Sequence, residues 1–262
     1  MDLLDVFILG IVEGLTEFLP VSSTAHLILV SNFLKINQTE FQKLFEVVIQ
    51  SGAIFAMLFL YLKYLIKNKF LWGKVFVSFI PTAFVGIVFY KIIKEIFFNS
   101  LTIILFSLFF LGLFFILTET LIKKEKIILQ KSLVKMNLWE ALIIGLCQSF
   151  AIIIPGVSRA GIVILAMLFL RFKRKESAIY SFLLALPTIF VASIYDLYKN
   201  KGLIFEANIF YLKIGFFTSF IFALISVKWF LGFLQNKTLI FFGWYRIVVA
   251  VLIFLLIQLA II

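Results

Sequence analysis

The chain has 262 residues, 64% of them hydrophobic and 14% charged, with a formal net charge of +11 and a mean hydropathy of +1.17. A soluble domain is roughly half apolar and a quarter charged, so there is too little polar surface here to cover a water-facing globule. The single cysteine, Cys147, closes no internal disulfide and has no metal-site spacing; it reads as a small apolar helix residue.

In chain order, Leu3 to Leu19 reads as helix as far as Pro20, and Ala25 to Leu34 resumes as a short apolar helix. No basic stretch precedes Gly10 to Pro20 and no small-residue cleavage pattern follows, so a cleaved signal peptide is not expected. The apolar runs Val47 to Leu62, Val75 to Phe89 and Leu101 to Leu121 come next. Leu138 to Ile154 is then stopped by Pro155-Gly156 and resumed at Ala160 to Leu170. Ile179 to Leu197, Ile209 to Val227 and Ile240 to Ile262 complete the chain. Proline removes a backbone donor and disfavours helix in the residue before it. The long runs approach the ~20 residues that a ~30 Å hydrocarbon layer requires, which predicts six spans. The arms around the two breaks hold ten to seventeen residues and suit re-entrant helix pairs. Irregular backbone at that depth must line a protein-walled or wet cavity.

The two broken segments align at an offset of 135. Leu4 to Gly10 meets Trp139 to Gly145, Glu13 meets Gln148, Leu19 meets Ile154, Pro20 meets Pro155, Ser23 meets Ser158 and Thr24 meets Arg159. The reading is a single membrane domain over 1–262, built from one repeat at about 1–125 and another at about 136–262. The fold expected is all-α and polytopic: six transmembrane helices plus two re-entrant pairs, in inverted-topology repeats. Such repeats commonly hold polar sites near the bilayer midplane.

Charge placement sets the expected orientation. Fifteen basic residues fall on the side opposite the N-terminus: Lys63 to Lys74, Lys123 to Lys135, Arg171 to Lys175, and Lys228 with Lys237. Seven fall on the N-terminal side: Lys35, Lys43, Lys91, Lys94, Lys199, Lys201 and Lys213. The positive-inside rule then puts both termini outside. The positive charge reports topology, and no nucleic-acid partner is expected. Arg159 and Arg246 remain, both within apolar sequence.

Glu13 and Glu17 are four residues apart and share a helix face. A carboxylate within the bilayer costs roughly 2.5–3.5 kcal/mol, and two side by side repel. They are tolerated if they share a proton or hold a divalent cation, Mg²⁺ or Ca²⁺, through oxygen ligands. The bland alternative is a solvated helix end. After Pro20 come Ser22, Ser23 and Thr24 and a new helix, whose N-terminal N–H groups form a ready anion site. One hydroxyl is accounted for by capping; three beside His26, the one histidine, are not. The second patch, Pro155-Gly156-Val157-Ser158-Arg159-Ala160-Gly161, repeats the device. Its arginine needs an anionic partner, either a phosphate, which its planar fork suits, or Glu13 or Glu17 in a structural pair. Together the patches point to a phosphate or diphosphate accompanied by a cation, and the membrane setting points to a lipid phosphate.

At these residues the chain resembles the undecaprenyl-diphosphatase (bacitracin-resistance) family. Glu13 to His26 reads EGLTEFLPVSSTAH against the family's EGLTEFLPVSSTGH, and Pro155 to Val163 reads PGVSRAGIV against PGxSRSGxT. Phe45 to Ala53, Ser181 to Pro187 and Tyr245-Arg246 also match. The resemblance implies hydrolysis of undecaprenyl diphosphate to the monophosphate and phosphate at the outer face of the bacterial inner membrane. That reaction recycles the lipid carrier of cell-wall synthesis and confers bacitracin resistance. It implies Glu17, Ser23, His26 and Arg159 as catalytic residues. Ser23 is the expected nucleophile, His26 a general base or proton donor, and Glu17 the group orienting it or the metal. His26 as nucleophile or activator of water stays open. Ser22, Thr24, Gly156, Ser158 and Gly161 are expected to bind phosphate, and Glu13 and Glu17 the cation. A homodimer is a further expectation. Ala25, Ala160 and Val163 depart from the family pattern, and the last two remove hydroxyls that could reach phosphate. The rival reading is a cation-coupled transporter or lipid-phosphate flippase, which inverted repeats and intramembrane carboxylates also suit.

Overall fold

Asp2 and Asn137 start two helices in the same way. The Asp2 side chain accepts the Asp5 N–H while the Asp5 carboxylate takes the Asp2 N–H, at 2.9 and 2.7 Å. Asn137 and Glu140 repeat this box at 2.8 and 3.0 Å. Each box satisfies donors that a helix start leaves orphaned. Asp2 and Asn137 are themselves separated by 135 residues, which extends the sequence alignment to both helix starts.

The protein is described here by a computed structural model covering residues 1–37, 39–89, 101–199 and 208–259. Of the lysines counted for topology, Lys91, Lys94 and Lys201 lie outside these residues. The described chain is helical, apart from one short 3₁₀ turn and an isolated bridge between Lys131 and Phe172. Its α-helices are α1 (Leu3–Thr16), α2 (Ser23–Phe33), α3 (Glu40–Lys67), α4 (Phe70–Val88) and α5 (Leu101–Lys123). They continue with α6 (Leu138–Ile153), α7 (Arg159–Phe169), α8 (Arg174–Lys199), α9 (Ile209–Asn236) and α10 (Ile240–Gln258).

Six of these, α3, α4, α5, α8, α9 and α10, are long and apolar enough to cross a membrane. Their outward faces carry Phe59, Phe76, Phe84, Phe106 and Phe217, all strongly exposed, as a lipid-facing surface requires. The protein is a multi-pass, all-α membrane protein. By contrast α1, α2, α6 and α7 have 14, 11, 16 and 11 residues, and at about 1.5 Å per residue none reaches 30 Å.

The short helices are set among the long ones. α1 packs on α2 and on α9; α6 packs on α7 and on α4. Two glycines permit the close crossings. A Cβ at Gly14 would collide with the Ser219 carbonyl of α9, and one at Gly145 with the Ser78 carbonyl of α4. Small residues of this kind let membrane helices approach backbone to backbone.

One end of the bundle collects the basic loops. The backbone N–H groups of Gln130 and Lys131 donate to Arg171 O, and Lys173 N–H donates to Lys131 O. The segment entering α6 is thus tied to the segment leaving α7. Lys74 reaches the Leu133 carbonyl, Glu140 pairs with Lys131, and the Leu133 N–H bonds Glu176 at 3.0 Å. Buried Glu119 holds both the Arg174 guanidinium and the Leu239 N–H, joining the ends of α5, α8 and α10.

Candidate active site

Pro20 and Pro155 are followed by new helices rather than long loops, so both breaks lie between packed helix pairs. Ser22 caps α2 through Ala25 N–H, and Ser158 caps α7 through Gly161 N–H. In the first break the capping residue is therefore one position earlier than the offset of 135 would place it. That leaves the Ser23 hydroxyl, in the first turn of α2, free for another partner. It donates to Glu17 Oε2.

Glu17 joins the two breaks. Its Oε1 accepts from Arg159 Nη2 at 2.9 Å, and the same guanidinium donates through Nη1 to the Ser181 carbonyl at 3.4 Å. Side-chain exposure is 11% for Arg159 and 5% for Glu17, so the pair is well removed from water. Glu13, one turn earlier, is 1% exposed and both of its carboxylate oxygens lack a hydrogen-bond partner. Gln148, which aligns with Glu13 at the offset of 135, instead donates to Thr82 and Thr188 at 2.8 and 3.2 Å.

These groups surround one cavity of about 510 Å³. Glu13, Glu17, Ser22, Ser23 and Thr24 line it from the first break, and Gly156, Ser158 and Arg159 from the second. The N-termini of α2 and α7 both border it, with their positive dipole ends and first N–H groups. Apolar residues of α4, α6 and α8 extend the wall, Phe79, Ala83, Ile152 and Val191 among them. A polar head and an apolar flank fit an amphiphilic ligand with an anionic end.

Two of the expected site residues lie elsewhere. Gly161 does not line the cavity; its N–H is held by the Ser158 cap and its Cα faces Leu111 and Phe115. His26 does not line it either. Its Nδ1 meets Ser22 O and its Nε2 meets the Tyr245 hydroxyl, each at 2.7 Å. The departures from the family motif, Ala25, Ala160 and Val163, are buried in the packed interior and not on the cavity wall.

The wall also holds residues the motifs did not mark. Lys43, Glu46 and Gln50 border the cavity from α3, and Tyr195 and Asp196 from α8. The three on α3 are three and four residues apart, a polar stripe on an apolar helix. That spacing was the readable signal. Arg246, fully buried on α10, ties the two breaks together. Its Nη1 donates to Pro20 O and its Nη2 to Gly156 O, each at 3.0 Å, with longer bonds to Ser107 O and Leu108 O.

Fold and site define a class: a polytopic α-helical membrane protein with a cavity between its helices that joins a charged, hydroxyl-rich end to an apolar flank. Residues 6–252 match the family model described as bacitracin resistance protein BacA, and the chain belongs to that family. Relatives named undecaprenyl-diphosphatase agree. One from Sulfurihydrogenibium sp. is 47% identical, over 97% of this chain and 99% of its own. One from Wolinella succinogenes is 46% identical over 96% and 97%, and one from Aquifex aeolicus 44% over 92% and 93%.

Proposed function

We infer that the protein hydrolyses undecaprenyl diphosphate to undecaprenyl phosphate and inorganic phosphate at the outer face of the bacterial inner membrane. The activity is the one its relatives are named for, and on this reading it returns the lipid carrier to cell-wall synthesis and confers bacitracin resistance. The carrying observation is the Ser23 hydroxyl donating to Glu17 beside Arg159, on a cavity bordered by two helix N-termini. A carrier or flippase needs no hydroxyl aimed at a buried base.

In the reaction, Ser23 Oγ attacks the terminal phosphorus and passes its proton to Glu17 Oε2. The bond from that phosphorus to the bridging oxygen breaks, and the lipid monophosphate leaves with the electron pair. Water then releases phosphate from Ser23. Phosphoryl transfer needs charge stabilisation above all. Arg159 and the N–H groups at the starts of α2 and α7 supply it, a diphosphate bringing its own oxygens to the guanidinium. The apolar wall from α4, α6 and α8 takes the first isoprene units. In this arrangement His26 supports the turn that carries Ser23, because both ring nitrogens are engaged away from the cavity.

A divalent cation fits the residues present. Glu13 offers two buried oxygens without partners, next to Glu17, and such ions are often held by one or two carboxylates completed by substrate phosphates. Among the described residues no group of three or more His, Cys, Asp or Glu side chains is placed to hold a metal by itself, so substrate oxygens complete the set. The bound cation would neutralise phosphate charge.

The outward orientation rests on the lysine distribution. The reading of two repeated, re-entrant segments draws on the matched capping boxes, on the equivalent packing of α1 with α9 and of α6 with α4, and on the tie across α6 and α7; their inversion, like the orientation, rests on the lysines.

The test is phosphate release by the purified protein in detergent, with undecaprenyl diphosphate and Mg²⁺ or Ca²⁺. One phosphate per lipid is expected, and chelation by EDTA is expected to cut the rate by at least about tenfold. No release, with lipid movement across vesicles instead, would establish the carrier. An undiminished rate in EDTA would remove the cation from the site.

A further inference from the structure

Ser22 immediately precedes the nucleophile and has φ 75° and ψ 93°. A non-glycine residue at positive φ is strained and persists only where its surroundings hold it. Its carbonyl is held twice, by the backbone N–H of His26 at 3.2 Å and by the His26 ring Nδ1 at 2.7 Å. A carbonyl only accepts, so Nδ1 carries a proton. The other ring nitrogen lies 2.7 Å from the Tyr245 hydroxyl, and in a neutral ring it accepts a hydrogen bond from that hydroxyl. The two rings lie nearly parallel, 5° apart in plane, with centroids 5.7 Å apart.

Tyr245 belongs to α10 and adjoins Arg246, whose guanidinium takes the Pro20 carbonyl at 3.0 Å. Two consecutive side chains of α10 therefore grip the same turn: Arg246 at Pro20, and Tyr245 through His26 at Ser22. The turn ends at Ser23, whose hydroxyl must point at Glu17.

We propose that Tyr245 is a positioning residue of the reaction: by fixing the His26 ring it holds Ser22 in its left-handed conformation and thereby aims Ser23 at Glu17. This rests on the role of Ser23 given above and goes beyond it, since Tyr245 touches neither the cavity nor the reacting atoms.

The one histidine in the chain makes the clamp directly observable. With isotopic nitrogen in histidine and a purification tag free of histidine, nitrogen NMR of the protein reports this ring alone. The expected spectrum is a protonated Nδ1 with Nε2 an acceptor, and Tyr245→Phe should shift the Nε2 resonance and release the second tautomer. An Nε2 signal that Tyr245→Phe leaves in place overturns the proposal. In turnover, Tyr245→Phe should lower kcat by about tenfold to a hundredfold with KM and thermal midpoint unchanged. His26→Ala with Tyr245→Phe should be no slower than His26→Ala alone. Losses that add, or an unchanged kcat in Tyr245→Phe, overturn it equally. Trp244→Phe, at a lipid-exposed neighbour, should match wild type in both readouts. If the wild type released no phosphate, the proposed reaction would fall, while the nitrogen spectra would still decide whether the clamp exists.

Discussion

Glu17→Gln is expected to lower kcat by about a thousandfold and to destabilise the protein by about 3–5 kcal/mol, and Arg159→Met added to it to restore stability but none of the rate. Glu17 has two tasks, one on each oxygen. Oε2 accepts from Ser23 and takes its proton in the reaction; Oε1 balances the charge of Arg159. An amide keeps the shape but accepts no proton, and general-base catalysis is worth about 10²–10⁴ in rate. It also deprives a guanidinium of 11% exposure of its hydrogen-bonded counter-charge, and breaking a buried pair costs far more than the pair contributes. Removing the arginine too leaves no buried guanidinium to be paired. Stability therefore returns, while the reaction has also lost its phosphate-stabilising cation. Ser23→Ala should lose rate as severely with a smaller loss of stability, because it creates no unpaired charge. Phosphate release and thermal unfolding in detergent give the two readouts. A Glu17→Gln protein that turns over like wild type is incompatible with Glu17 as the proton acceptor. A double variant as unstable as the single one is incompatible with the ion-pair explanation.

The six spans and the two breaks were legible because bilayer thickness and proline impose them with little help from tertiary contacts. The convergence of the two patches was legible as well, since an arginine inside apolar sequence has to find an anionic partner, and Glu17 is that partner. The matched starts at Asp2 and Asn137 were present at the same offset but carry a weaker signal, a capping pattern among other polar residues. Three details were not readable. Adjacent Ser22 and Ser23 are equivalent in sequence, and only the backbone turn decides that the first caps α2 while the second meets Glu17. His26 is three residues from Ser23, yet its ring folds back onto Ser22 and out to Tyr245, a partner 219 residues away. Arg246 stood out as a buried charge, but its partners are carbonyls, and a backbone acceptor leaves no mark on the residue that supplies it.

That last case leads to the second large effect: Arg246→Met is expected to destabilise the protein by about 2–6 kcal/mol, lowering the thermal midpoint in detergent by on the order of 10 °C. The sign is not obvious. A guanidinium with no exposed surface has given up its hydration, and replacing buried ionic groups by apolar ones is frequently neutral or stabilising. That outcome requires both partners to be replaced, and here one side of the interaction is backbone. Pro20 O and Gly156 O lie where the chain is no longer helical, so neither can turn to a helical N–H. Each left unsatisfied in the interior costs about 1–3 kcal/mol, and no substitution removes a carbonyl. The loss therefore outweighs the relief of burying one charge fewer. Arg246→Lys sharpens the test, because a single ammonium keeps the charge but lacks the planar fork that serves two acceptors through separate nitrogens. If bridging of the breaks is what matters, the lysine variant falls between wild type and methionine in stability. If the charge alone matters, it matches wild type. Because the Pro20 turn also carries Ser23, both variants should lose activity per folded molecule in the same order, and an Arg246→Met protein with wild-type stability would show that the two breaks hold their shape without the arginine.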